Sequence, residues 1–242
     1  MRIVDSLLTS EGDGAEVKRL FPLRAGRMNH DPFVLWDHFY LKKGTGFPTH
    51  PHRGFEAITY IFEGSMEHKD NLGNHSRVYE NGAQRFTAGK GIEHSEMPDK
   101  EGNTTGIQLW INLPRRLKML DPDYQQVDAE NIPVQKIDGG VIRTIVGEGS
   151  ALKLHTPVQY LDISLQQGAT FTETIDDNYQ GLLYVVEGEL KVGKDALSAG
   201  KAVYIEEQDS VVEITSLKDS RFMLCIGKPH KEPIHQWGPF VD

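Results

Sequence analysis

The apolar residues of this chain come in short runs, and the length of these runs is the feature that most constrains the fold. The runs are rich in β-branched and aromatic side chains and are separated by segments that contain Gly, Asn and Asp. They cover residues 33–41, 56–62, 109–113, 182–186, 202–205 and 211–214. Such runs are typical of β-strands. The best helical stretch, 115–120, is short and stops at Asp121-Pro122. The sequence therefore predicts an all-β sandwich or barrel.

The chain also repeats part of its sequence about half its length apart. Residues 59–64 read Thr-Tyr-Ile-Phe-Glu-Gly, and residues 183–188 read Leu-Tyr-Val-Val-Glu-Gly. A polar stretch with prolines, 120–133, lies between the two copies and is a natural linker. We therefore predict an N-terminal domain with linker, 1–130, and a C-terminal domain, 131–242, whose tail packs back toward the first.

Charge and cysteine content exclude several classes of protein. The formal net charge is −9 with the basic residues scattered, so an electrostatic footprint for direct nucleic-acid binding is missing. The lone cysteine, Cys225, cannot form an internal disulfide. The N-terminal residues meet Asp5 before any long apolar run, and no run approaches the roughly 18 residues of a membrane span. We expect a cytoplasmic protein without a membrane partner.

Two pairs of residues carry the chemistry. His50 and His52 lie two apart before the run 56–62, and His94 and Glu96 lie two apart after a Gly-rich turn. Side chains of a strand alternate between faces, so each pair projects to one face, with members about 7 Å apart. Glu56 shares the even parity of the first pair. We expect it in the same interior, as a hydrogen-bonding neighbour of a ligand imidazole.

Three imidazoles and one carboxylate indicate a site for a single divalent metal ion. This donor set suits Fe, Mn, Ni, Cu or Zn and leaves up to two open positions on a six-coordinate ion. Substrate, water or dioxygen can bind at open positions. A structural zinc site would more often be closed by cysteines, and this chain has one.

The spacing Gly44-x5-His50-x-His52-x3-Glu56, followed by Gly64 and then by Gly91-x2-His94, resembles the two cupin motifs. The amino-acid sequence around these residues resembles that of the pirin family, and the likeness extends to the tail, 227–241. The resemblance implies two cupin barrels (double-stranded β-helix or jelly-roll) packed together, a bicupin. It also implies that the N-terminal barrel binds iron through His50, His52, His94 and Glu96. We expect the ion to be Fe(II).

The second copy has no imidazole at the corresponding positions in either alignment, so it has lost the metal site. The repeat places Thr174 and Asp176 at the positions of His50 and His52. For His94 and Glu96, alignment on Ala-Gly-Lys (88–90 and 199–201) gives Ile205 and Glu207, whereas alignment on Gly82 and Gly200 gives Val212 and Ile214. We therefore expect one ion per chain.

The family resemblance implies a quercetin 2,3-dioxygenase, which opens a flavonol with dioxygen and releases carbon monoxide. Glu96 is then the catalytic base. The alternative is a non-enzymatic, iron-dependent redox sensor and co-regulator that binds a protein partner. A third reading is a dioxygenase or isomerase for another small phenolic. We expect a monomer.

Outside the motifs, local sequence suggests ordinary roles. His68 and His155 lie in polar surroundings, so we expect both to be solvated. The tail with Trp237 and Phe240 suggests a packed segment rather than a binding motif.

Overall fold

The computed structural model describes residues 1–98 and 102–242 and places nearly all of their regular structure in strands. The described helices are two 3-10 turns, Arg115–Leu117 and Ala129–Asn131. The all-β prediction is confirmed, and the best helical stretch shrinks to a single turn. Among the described residues, no helix has the length and apolar character needed to cross a membrane.

The chain forms two compact units, and each unit is assembled from three separate segments of the sequence. The histidine unit consists of Leu7–Asn131, Leu154–Thr156 and His230–Asp242. The second unit consists of Met1–Ser6, Ile132–Lys153 and Pro157–Pro229. The division into domains 1–130 and 131–242 stays a prediction.

The histidine unit contains two sheets and a short hairpin, with strands numbered along the whole chain. Its strands are β2 (Leu7–Glu11), β3 (Ala15–Phe21), β4 (Phe33–Leu41), β5 (Phe47–His52), β6 (Phe55–Glu63), β7 (Ser65–Asp70), β8 (His75–Tyr79), β9 (Ala83–Thr87), β10 (Ile92–Pro98), β11 (Thr104–Asn112), β12 (Asp123–Val127), β23 (Gln236–Trp237) and β24 (Phe240–Val241). The strand orders are β12-β9-β6-β11-β4-β3-β2 and β5-β10-β7-β8. Val17, Phe39 and Ile61 of the larger sheet pack against Met66 and Val78 of the smaller one, so part of the core lies between the sheets.

The second unit has the same plan. Its strands are β1 (Arg2–Asp5), β13 (Val134–Ile137), β14 (Gly140–Val146), β15 (Val158–Leu165), β16 (Thr170–Thr174), β17 (Gln180–Glu187), β18 (Glu189–Val192), β19 (Asp195–Ser198), β20 (Lys201–Ile205), β21 (Val211–Ser216) and β22 (Ser220–Gly227). The strand orders are β1-β20-β17-β22-β15-β14-β13 and β16-β21-β18-β19. Its core again combines residues of both sheets, such as Ile163 and Phe222 with Leu190 and Ile214.

The topology identifies the equivalent positions of the repeat. Strands β6 and β17 hold the same place in the two larger sheets, and the glycines that follow them, Gly64 and Gly188, both have φ of 81°. The Ala-Gly-Lys segments follow β9 but precede β20, so they are not equivalent. The alignment on Gly82 and Gly200 agrees with the strands, and it places Val212 and Ile214, both in the apolar core, opposite the second histidine motif.

Candidate metal centre

Strands β5 and β10 bring the two histidine motifs together. They pair antiparallel, with His94 opposite His50 and Ile92 opposite His52. One ligand nitrogen from each of His50, His52 and His94 lies within 4.8 Å of the others, and the ring centroids are 4.5 to 4.9 Å apart. Strand alternation therefore places three imidazoles at one point, as their spacing predicts.

Backbone carbonyls fix the tautomers of the first pair. His50 Nδ1 lies 2.7 Å from the Pro48 carbonyl oxygen, and His52 Nδ1 lies 3.2 Å from that of Pro239. A carbonyl only accepts hydrogen bonds, so each Nδ1 carries the proton and each Nε2 keeps a lone pair. Burial lowers the pKa of His52 to about 3, and neighbouring His50 acts in the same direction. Burial likewise holds the pKa of His94 well below its usual value. Both rings are therefore neutral at pH 7.

The donor set fits a metal ion. His94 Nε2 and His50 Nε2 face each other at 3.2 Å. Nitrogens that bind one ion at about 2.0–2.1 Å and at angles of 90 to 109° lie about 2.9 to 3.4 Å apart. His50 Nε2 carries a lone pair, so His94 Nε2 can either donate a hydrogen bond to it or share a cation with it.

Glu96 lies in the same region but in a second group. Its carboxylate accepts hydrogen bonds from Thr59 Oγ1 at 2.7 Å, Gln84 Nε2 at 2.5 Å and Gln108 Nε2 at 2.7 Å. Together with His68 and His94 it forms a second set of ligand atoms within 4.8 Å of one another. The pairing of β10 with β5 shifts here, since the two steps from His94 to Glu96 face the three steps from His50 to Phe47, and the extra residue lies on β5. The four predicted ligands thus divide into two groups that share His94.

The hydrogen-bond partners of Glu56 differ from those that the sequence predicts. Its carboxylate is fully buried and accepts hydrogen bonds from Thr87 Oγ1 and from the backbone nitrogen and Nδ1 of His155, rather than from a clustered imidazole. Gly54, with φ of 87°, separates β5 from β6. A residue in this conformation turns the chain, so the parity counted from His52 does not carry into β6. His155 is exposed, as expected, with 41% of its side chain accessible, and it is also the partner of this buried carboxylate.

Sequence reasoning also missed His68, which is buried rather than solvated. His68 Nε2 donates to Asp70 Oδ2 at 2.9 Å, and His68 Nδ1 lies 3.5 Å from His94 Nδ1. The signal was present in the sequence. His68 and Asp70 have the same two-residue spacing as His50 and His52 and follow the repeated Glu-Gly turn.

A cavity of about 860 Å³ opens beside the cluster. Its wall includes His50, His52 and Glu96, and the other side chains combine rings with polar groups. These others include Phe39, Phe47, Trp110, Arg19, Asp37 and Gln108. Arg19 donates two hydrogen bonds to the Asp37 carboxylate, at 2.8 and 2.5 Å. The cavity therefore offers aromatic walls and a paired charge to a small molecule.

The tail does more than pack. Residues 236–239 line the cavity, and the Pro239 carbonyl accepts the hydrogen bond from His52. Val241 donates its backbone N–H to the Arg53 carbonyl at 3.0 Å. Lys118 Nζ then bonds the carbonyls of Val241 and Gly54 at 2.8 and 3.0 Å. The tail thus fixes the orientation of one clustered histidine.

Lys118 gives the protein a predictable pH dependence. Burial lowers its pKa from 10.5 to about 8, although the carboxylates of Asp242 and Glu232 act in the opposite direction. Between pH 8 and 10.5 the unfolded chain binds the proton that the folded chain has released, so the free energy of unfolding rises with pH. Urea titrations across this range should show a smaller rise for Lys118→Met than for the wild type or the exposed control Lys42→Met. Equal slopes would contradict the assignment.

Two family models match the chain. The model for pirin matches residues 14–111, and the model for the pirin C-terminal cupin domain matches residues 160–242. The first match contains the histidine cluster, and the second contains the strands of the second unit from β15 onward.

Whole-length relatives agree with these matches. A pirin-like protein of Caulobacter vibrioides is 38% identical over 253 residues, covering 100% of this chain and 91% of the relative. The pirin of Mus musculus is 40% identical over 249 residues, covering 96% of this chain and 83% of the relative. Among solved structures, a quercetin 2,3-dioxygenase from Acinetobacter baumannii superposes with a TM-score of 0.91 at 30% identity, covering 100% of this chain and 90% of that chain. The predicted resemblance and the bicupin fold are confirmed, and the chain belongs to the pirin family.

Proposed function

We propose that this protein is a metal-dependent dioxygenase that opens flavonols such as quercetin. The observation that carries the proposal is the three-imidazole cluster, of which His50 and His52 lie on the wall of a cavity of about 860 Å³. Cavities of about 300–1,000 Å³ hold drug-sized ligands, so a fused aromatic ring system fits the space. The similarity to a quercetin 2,3-dioxygenase supports the same substrate class.

His50, His52 and His94 would hold the ion through Nε2, with Glu96 as the fourth ligand. Fe(II) is our first choice, and Mn, Ni, Cu and Zn suit the same donors. When bound, the ion would supply Lewis acidity to the flavonol 3-hydroxyl and an open position for dioxygen. A single ion in a monomeric, cytoplasmic chain completes the proposal.

Glu96 is the proposed base. It lines the cavity, and its carboxylate is held by Thr59, Gln84 and Gln108, so it meets the substrate in a fixed orientation. It takes the proton of the 3-hydroxyl and returns it to the product. One flavonol and one dioxygen give one depside and one carbon monoxide, which balances all atoms. The rings of Phe39 and Trp110 are placed to confine the flavonol.

Reconstitution tests this function. The metal-free protein is loaded anaerobically with Fe(II), Mn(II), Ni(II), Cu(II) or Zn(II), and quercetin loss and trapped carbon monoxide are then followed under air. We expect metal-dependent turnover with one carbon monoxide per quercetin. Glu96→Gln should lose roughly 10²–10⁴-fold in turnover, the usual contribution of a general base. His52→Ala should lose turnover together with metal, whereas the exposed control Glu63→Gln should match the wild type.

The negative outcome is equally informative. If every ion binds and quercetin persists, the flavonol proposal fails. The search would then turn to another phenolic substrate or to a protein partner that distinguishes the ferrous from the ferric form.

A further inference from the structure

Behind the cluster lies a buried pair of side chains, outside the predicted ligand set. Strand β7 runs beside β10, with Asp70 opposite His94 and His68 opposite Glu96. The side chains of His68 and Asp70 both have 0% exposure. Buried ionisable groups are retained only when their hydrogen bonds are satisfied, so the partners of this pair define its chemistry.

Asp70 is the fixed end of the pair. Its Oδ1 accepts the backbone N–H groups of Leu72 and Asn74, each at 3.0 Å, and its Oδ2 accepts Asn74 Nδ2 at 2.8 Å and His68 Nε2 at 2.9 Å. Burial alone would raise the pKa of Asp70, but the hydrogen bonds from His68 and Asn74 lower it overall. An ionised carboxylate only accepts, so His68 carries its proton on Nε2 and a lone pair on Nδ1.

The lone pair of His68 gives His94 an acceptor on the side away from the cluster. The ring of His94 faces two acceptor nitrogens, His68 Nδ1 at 3.5 Å and His50 Nε2 at 3.2 Å, and a neutral imidazole donates to only one of them. When His94 donates from Nδ1 to His68, its Nε2 keeps a lone pair toward His50, which is the tautomer that can bind an ion at the cluster. His50 and His52 obtain the same tautomer from backbone carbonyls, whereas His94 obtains it from a side chain.

Tyr124 supports this arrangement from outside. Its ring stacks on His68 with centroids 4.3 Å apart and planes 19° apart. Its hydroxyl donates to Gln84 Oε1 at 3.0 Å, which turns Gln84 Nε2 toward Glu96 Oε1. One tyrosine thus steadies both His94, through His68, and Glu96, through Gln84.

We propose that Asp70, His68 and Tyr124 are positioning residues that hold His94 in the tautomer with a free Nε2 and so raise the affinity of the cluster for a divalent ion. The acceptor that this tautomer needs is given by the geometry of His68, and the effect on affinity rests on the proposed metal site. A hydrogen-bonded partner of a ligand imidazole is typically worth 10- to 100-fold in metal affinity.

The same atoms offer a rival reading as a second ion site, because His68, His94 and Glu96 form a group within 4.8 Å. The two Nδ1 atoms face each other in hydrogen-bond geometry, so one proton between them leaves no second lone pair for an ion. All three side chains are at most 1% exposed. The hydrogen bonds that lead from Asp70 through His68 to His94, which we call the relay, satisfy His68 and His94 without an ion. We therefore favour the relay.

The experiment combines two readouts that do not depend on turnover. In the metal-free protein labelled with ¹⁵N-histidine, long-range ¹H–¹⁵N spectra should show His94 protonated at Nδ1 in the wild type. His68→Phe, which keeps a ring for stacking but removes the acceptor, should shift this tautomer. Competition with a chelator should show Zn(II) binding 10- to 100-fold weaker in His68→Phe, and one Zn(II) per wild-type chain.

Matched variants separate positioning from packing. His68→Gln offers an amide oxygen to His94 and should recover most of the affinity, and the exposed control His75→Phe should bind like the wild type. Asp70→Asn preserves shape and serves as the second test if His68→Phe fails to fold. The relay would be overturned by any of three results. These are wild-type affinity in both His68→Phe and Asp70→Asn, an unprotonated His94 Nδ1 in the wild type, and two Zn(II) ions bound per chain. If the binding results are as expected but the protein does not turn over quercetin, only the proposed flavonol function is overturned.

Discussion

We expect His94→Ala to lose more metal affinity than any other single substitution in the chain. His94 belongs to both groups of ligand atoms, and its Nε2 faces His50 Nε2 at 3.2 Å. Its removal takes away a ligand and separates the relay from the cluster. The loss should therefore exceed the roughly 10- to 100-fold that follows the loss of a partner outside the ligand set. Chelator competition with Zn(II) measures the change.

The control for this variant must separate binding from folding, because His94 is 1% exposed and its removal leaves a small void. Circular dichroism and urea titration of the metal-free proteins give the stability change directly. His75→Ala, on an exposed position of β8, should leave affinity unchanged. If metal-free His94→Ala folds like the wild type and still binds Zn(II) within tenfold of it, the cluster is not the metal site.

We expect Gly54→Ala to detach the tail. A β-carbon at Gly54 would lie 1.8 Å from the Val241 carbonyl oxygen, and the residue has φ of 87°. The left-handed conformation alone costs roughly 1–2 kcal/mol for a residue with a side chain. Loss of the hydrogen bonds of Val241 to Arg53 and Lys118, and of Pro239 to His52, adds about 1 kcal/mol each.

Gly44→Ala is a matched control for the backbone strain. Gly44 has φ of 82°, but nothing lies within 4 Å of a β-carbon there. Both variants should lose about 1–2 kcal/mol of unfolding free energy, and only Gly54→Ala should lose a further ~3 kcal/mol. Hydrogen exchange of the Val241 amide should accelerate only in Gly54→Ala. Equal losses in both variants would show that the close approach of the tail is not stabilising.

Much of the fold could be predicted because its signals are local. Alternation and turn residues mark individual strands, and the two residues of each histidine motif lie within one strand, β5 or β10. The error at Glu56 is also local in origin, since one glycine with positive φ at position 54 resets the parity of the next strand. Alternation can be counted only within an uninterrupted strand.

The remaining features depend on residues far apart in sequence. His68 is buried because β7 lies between β10 and β8, which its polar neighbours in sequence do not reveal. Tyr124 reaches His68 and Gln84 from a strand at the edge of the larger sheet. The role of the tail depends on a hydrogen bond across 187 residues, for which no spacing rule exists.

That last bond has a consequence for how the protein matures. His52 and its acceptor Pro239 are 187 residues apart, and chains grow at about 5–20 residues per second, so roughly 10 to 40 s of synthesis separate them. During that interval the nascent chain carries its histidines without the carbonyl that orients His52. We therefore expect the proposed metal site to reach its full affinity only after residue 239 has left the ribosome, so that metal loading would be a late step in the life of the polypeptide.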